Sequence, residues 1–189
     1  FTARAIKIDE VLADLKTYLK SSPKQLDWNR LQIENVGYRI VVENQSKYLA
    51  GELADWNLDL EPRPGHFDRR LTVATPLQKA GAYLVTAQVA DGNTTRIIVW
   101  VADTVIIKKP LDGKQLIYVA DAVTGAPISK ANVEFFGYRR QQVDLPLFGR
   151  TTRVETSNFA ELTDADGLVK HDFNDQLQQF QWLLTARTD

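Results

Sequence analysis

Residues 116–137 read LIYVADAVTGAPISKANVEFFG, two alternating apolar runs joined by a turn rich in Thr, Gly and Pro. Ile117, Val119, Val133 and Phe135 fall at period-two spacing, which places each pair on one face of an extended strand. Between the runs Gly125 supplies a positive φ, and Pro127 withholds a ladder donor where the turn ends. The reading is a β-hairpin of a sandwich module. Residues 162–173, LTDADGLVKHDF, supply a second turn in which Asp164, Asp166 and Gly167 precede another strand.

Working outward, Ile8, Val11, Leu12, Leu15, Tyr18 and Leu19 share one face at helical spacing and predict a helix over residues 6–20, stopped by Ser21-Ser22-Pro23. The polar face of this helix mixes acids and bases, so packing on a neighbouring domain is expected in preference to a membrane surface. From Leu31 the pattern changes to short β-branched and aromatic runs, predicting strands over 31–35, 37–43, 54–60, 67–75, 82–90 and 94–107. Asp91-Gly92 marks a hairpin turn. KKPLDGK at 108–114 combines charge, Pro and Gly and is expected to separate two modules. The second module has expected strands at 115–121, 131–138, 151–155, 158–162, 167–172 and 179–186, and no helical segment is expected after Lys20. The chain therefore divides into a helix and connector (1–29), a first β-sandwich (30–109) and a second (110–189), of the size such modules require.

Composition narrows the chemistry. A net charge of −1 lacks the basic footprint of a nucleic-acid partner, and the apolar run 97–107 is far too short to span a bilayer. Without Cys there are no disulfides and no thiolate metal sites, and a chain without Met that starts at Phe1 is expected to be processed or cut from a larger protein. The two histidines, His66 and His171, show no zinc-ligand spacing. Asp164 and Asp166 suggest calcium, but an EF-hand register would put Leu162 and Phe173 at ligand positions, so an Asx-bonded turn is the better reading. No serine sits in a nucleophile elbow, and no phosphate-binding glycine motif occurs. Asp59 and Glu61 lie two residues apart, as on an ordinary solvated face. Neither a catalytic residue nor a cofactor is assigned. Most of Trp28, Trp56, Trp100 and Trp182 are expected in cores. Phe135 and Phe136 face opposite ways, so one must cover another surface; with Val143, Leu145, Leu147 and Phe148 of an expected loop at 140–150, they form a candidate interdomain contact.

The order DAxTGxPxxxAxVxFxG (from Asp121) followed by TDADG (from Thr163) resembles the macroglobulin-like domains of bacterial α2-macroglobulins. Residues 81–103 resemble the closing hairpin of a preceding domain of the same kind. The resemblance implies an all-β fold of tandem antiparallel, Ig- or fibronectin-III-like sandwiches behind a short N-terminal helix. It also implies a non-catalytic structural part of a large, exported bacterial endopeptidase inhibitor, periplasmic or at the cell surface, that traps target proteases through the full-length protein. The partners implied for this portion are neighbouring domains of the same chain. Within the motif Asp121, Gly125, Pro127, Ala131, Asp164, Asp166 and Gly167 are structural turn positions. The thioester of many members needs a CxEQ motif, and this chain has no Cys. The alternative is an Ig-like adhesion or carbohydrate-binding module of a surface protein.

Overall fold

The structure, a computed structural model, describes residues 1–32, 35–41, 43, 46–61, 64–66, 70–111, 114–145, 149–172 and 175–188. It is a mainly β protein of antiparallel sheets with an N-terminal helix. The chain divides into two compact units. One comprises Phe1–Val11 and Gln32–Val101, the other Leu12–Leu31 and Ala102–Asp189.

The first unit holds a four-stranded sheet in the order β2 (Leu49–Asp55), β1 (Thr2–Ile6), β3 (Gly81–Gln88), β4 (Thr94–Val101). Both faces of β3 are covered, which explains its continuous buried run Ala82–Val85. On one face Ile6, Ala82 and Leu84 pack with Val11 from the first turn of helix α1 (Ile8–Lys20), with Val36 and Ile40, and with Tyr48. On the other, Ala3, Tyr83 and Val85 pack with Leu77, Trp56 and Phe1. The turn between β3 and β4 lies at Asp91-Gly92, with the positive φ on Asp91.

Several expectations for this unit are corrected. The segments read as strands at 31–35 and 37–43 contain no strand among the described residues. Short helices α2 (Trp28–Leu31) and α3 (Val36–Val41) lie there, because Val36, Arg39 and Ile40 are buried at i, i+3 and i+4. The described strands also form one sheet with helices on a face, not two facing sheets. The strands expected at 54–60 and 67–75 carry no ladder at the described residues 56–60 and 70–75, and Pro76 just beyond cannot donate to one. His66 sits in a 3₁₀ turn beside Gly65, whose φ is 77°.

The second unit has two three-stranded antiparallel sheets. One is ordered β5 (Thr104–Leu111), β6 (Lys114–Asp121), β9 (Leu168–Asp172). The other is ordered β10 (Gln181–Arg187), β7 (Asn132–Leu145), β8 (Gly149–Leu162). Their inner faces share one core: Ile117, Val119 and Val169 from the first sheet meet Val133 and Phe135 from the second. The outer face of the second sheet is covered by α1, where Leu15 and Leu19 bury Phe136 and Val154.

Several readings of this unit change. Residues 94–107 are not one strand, because the chain breaks at Ala102-Asp103. KKPLDGK is not a boundary: Thr104–Leu111 pairs in register with Lys114–Asp121, so the strands on either side of it, β5 and β6, are neighbours in one sheet. The run 116–137 is not a hairpin either, since β6 and β7 belong to different sheets and only Ala120 and Pro127 form a bridge. Period two identifies which side chains face inward but not which strand they pair with. Residues 140–145 are strand, not loop, because the ladder of β7 and β8 runs from Asn132↔Leu162 to Leu145↔Gly149. Arg139–Glu155 and Asp144–Arg150 ion pairs flank it at 2.8 and 2.9 Å. A further short helix, α4 (Asp175–Gln178), follows Lys20 against expectation.

Candidate functional site

The two motif turns meet and form a dense constellation of side chain-to-backbone hydrogen bonds. Asp121 ends β6 with its carboxylate over the following turn: the N–H groups of Val123 and Thr124 donate to Oδ1 at 3.0 and 2.7 Å, and the Thr124 hydroxyl at 2.9 Å. These donors, Thr124 first, hold the Asp121 carboxyl below its ordinary range. The Gly125 N–H donates to the Asp121 carbonyl at 2.9 Å, and Gly125 takes φ 72°. Its carbonyl accepts the Tyr118 hydroxyl at 2.8 Å. Pro127 then bridges Ala120, Ile128 N–H reaches the Val119 carbonyl at 2.9 Å, and Lys130, at φ 60°, turns the chain toward the other sheet.

The second turn is built the same way. Asp164 Oδ1 accepts the N–H groups of Asp166 and Leu168, each at 2.9 Å, which makes the Asx-bonded turn. Gly167 takes φ 70°, and its carbonyl accepts Val119 N–H at 2.9 Å. A Cβ at Gly167 would lie 2.6 Å from the Val119 carbonyl oxygen and 3.0 Å from Pro127 Cβ. Only glycine lets the second turn approach the first this closely.

Thr163, which the sequence reading passed over, joins the turns. It is buried, its Oγ1 accepts Ala131 N–H at 2.8 Å and donates to the Ile128 carbonyl at 2.7 Å. Its own backbone completes the link to Lys130 and Ala131, each bond at 3.0 Å. Asp121, Gly125, Pro127, Ala131, Asp164, Asp166 and Gly167 are thus brought together. The signal that identifies Thr163 is its place directly before Asp164, where a hydroxyl can bridge two backbone segments that lack ladder partners.

The candidate interdomain contact divides differently. Phe135 is fully buried in the core between the sheets and Phe136 lies under α1, so both are corrected to positions inside their own unit. The extra surface that Phe136 covers is the helix, with Lys16 and Lys20 over its ring at 5.7 and 5.9 Å. Leu145 ends strand β7, Val143 is half-buried on it, and Leu147 and Phe148 lie outside the described residues. Lys16 Nζ also donates to Glu134 Oε2 at 2.7 Å. That bond is the largest cause of the lowered Glu134 pKa, outweighing burial. A shallow pocket of about 210 Å3 lies beside this pair, lined by Asn132, Glu134, Asn158 and Thr185.

His171 packs its ring on Phe159 at 4.4 Å and contacts Glu161 through Nδ1, tying β9 to β8 across the core. Among the described residues no group of three His, Asp or Glu side chains comes together as metal ligands. The serines found in contacts serve the backbone: Ser22 Oγ accepts Val154 N–H and Ser21 Oγ donates to the Tyr18 carbonyl. Trp56 and Trp182 are half-buried beside cores, whereas Trp28 and Trp100 are exposed, against the expectation for most of the four. No protein-family model, curated protein or solved structure matches the chain.

Proposed function

We propose that this chain is a non-catalytic structural portion of a large exported bacterial protein of the α2-macroglobulin kind, and that its second unit is a macroglobulin-like β-sandwich. The observation that most supports this reading is the interlocked pair of turns. Residues of the family-like motif, separated by some forty positions in sequence, close on one another through Gly167, Pro127 and Thr163. They do so at the point where the chain crosses between two sheets that share one core. One carboxylate oxygen each of Asp121 and Asp164, and the Thr163 hydroxyl, engage backbone groups, which suits a structural joint.

In this reading the unit is a brick in an enclosure around a protease, and the larger protein acts outside the cytoplasm by trapping. The test uses that larger protein. Incubated with a broad-specificity endopeptidase, it is expected to be cut at a bait stretch, to compact, and to leave the peptidase active on a short chromogenic peptide but inactive on intact protein. Undiminished digestion of intact protein after the cut would overturn the proposal.

A further inference from the structure

The two outer faces of the second unit are treated differently. On the sheet of β10, β7 and β8, an amphipathic helix covers the apolar side chains, and its Lys16 meets the sheet's Glu134 at 2.7 Å. On the sheet of β5, β6 and β9, the inward positions are Ile106, Ile117, Val119 and Val169, so the residues between them face outward. Two registered rows result. Ile107, Tyr118 and Leu168 lie across the three strands, and next to them Lys109, Leu116 and Lys170.

The first row is apolar and open: Ile107 is 52% exposed, with Tyr118 and Leu168 half-buried. In the second, exposed lysines flank a half-buried leucine, and neither Lys109 nor Lys170 makes an ion pair with a described residue. The charge is the reverse of the covered face, where the sheet supplies the carboxylate and the helix the ammonium.

We infer that the outer face of β5, β6 and β9 is a docking surface for an amphipathic helix whose apolar stripe is flanked by carboxylates. Its apolar side chains sit on Ile107, Tyr118, Leu168 and Leu116, and its acids meet Lys109 and Lys170. The apolar row supplies the burial, and the lysines set the sign of the partner. This inference does not depend on the family reading.

The test is titration of the whole chain with two peptides of roughly 18 residues, above the length at which isolated helices are marginal. One repeats Leu and Glu in a helical pattern, and the other replaces every Glu with Lys. The Leu/Glu peptide is expected to bind, to shift the NMR signals of Ile107 and Leu168, and to bind at least about tenfold more weakly to the K109E/K170E variant. The Leu/Lys peptide is expected to bind that variant better than the unaltered chain. The K109Q/K170Q variant gives a second, milder reading, and circular dichroism confirms that each variant is folded. Equal binding of both peptides, binding unchanged in both variants, or no binding would overturn the inference. So would concentration-dependent dimerisation through this face, or preferential binding to phosphatidylserine vesicles, since those assign the surface to a second copy or a membrane.

Discussion

Gly125 and Gly167 have nearly the same φ and opposite surroundings. At Gly125, φ 72°, an added Cβ meets nothing within 4 Å, so Gly125→Ala is expected to cost only the left-handed strain of about 1–2 kcal/mol. At Gly167 the same methyl adds a backbone collision at 2.6 Å, so Gly167→Ala is expected to be clearly the more damaging. Urea denaturation midpoints compare the two, and equal losses would mean that the turns can part without cost. Asp121 offers a pH test. Its carboxyl is held low by the Thr124 and Val123 donors, so its contribution is complete above the unfolded value of about 3.9 and is lost as pH falls through the lower folded value. Unaltered protein and Asp121→Asn should therefore differ in midpoint at pH 7 and converge as the medium is taken below about pH 4. A gap that does not narrow at all as the pH is lowered from about 4 through the depressed folded value would assign the effect to shape rather than charge. These turn residues are legible from sequence because Asp, Gly and Pro act on their own few neighbours. Their partner Thr163 is not, because its role depends on a segment that arrives from elsewhere in the chain.

Helix α1 meets strand β7 through side chains. Leu19 is 1% exposed in the cluster with Phe136, and Leu19→Ala is expected to cost about 2–5 kcal/mol, read from thermal or urea unfolding. A loss below about 1 kcal/mol would mean the helix rests loosely on the sheet. The helix was visible in the spacing of its apolar residues, and so was the inward set Ile117, Val119, Val133 and Phe135. Which strands pair was not: the alternation of 116–137 suits a hairpin and a crossing between sheets equally, and Pro127 with Lys130 decides for the crossing. The polar run Arg139 to Gln142 hid the extension of β7, since a ladder continuing beyond the core needs cross-strand partners and no apolar alternation. Val36 to Val41 misled in the other direction, its β-branched residues masking a helical burial pattern.

At the scale of the molecule, the second unit is discontinuous: Leu12–Leu31 and Ala102–Asp189 together make it. A polypeptide of residues 102–189 alone is expected to leave Phe136, Tyr138 and Leu183 uncovered, to bind the dye ANS and to self-associate. Adding a peptide of residues 12–31 is expected to suppress both, whereas a fragment that is dye-silent and monomeric by itself would show that the helix is dispensable. The same discontinuity bears on how the protein is made. The helix leaves the ribosome long before β7, β8 and β10 exist, and at about 5–20 residues per second it waits of the order of ten seconds for the surface it belongs to. During that interval Leu15 and Leu19 form a wet apolar stripe on a nascent chain, the kind of segment that chaperones hold. The Lys and Asp residues interleaved along the stripe keep it soluble while it waits, so the amphipathic pattern serves the unfinished protein as well as the finished one.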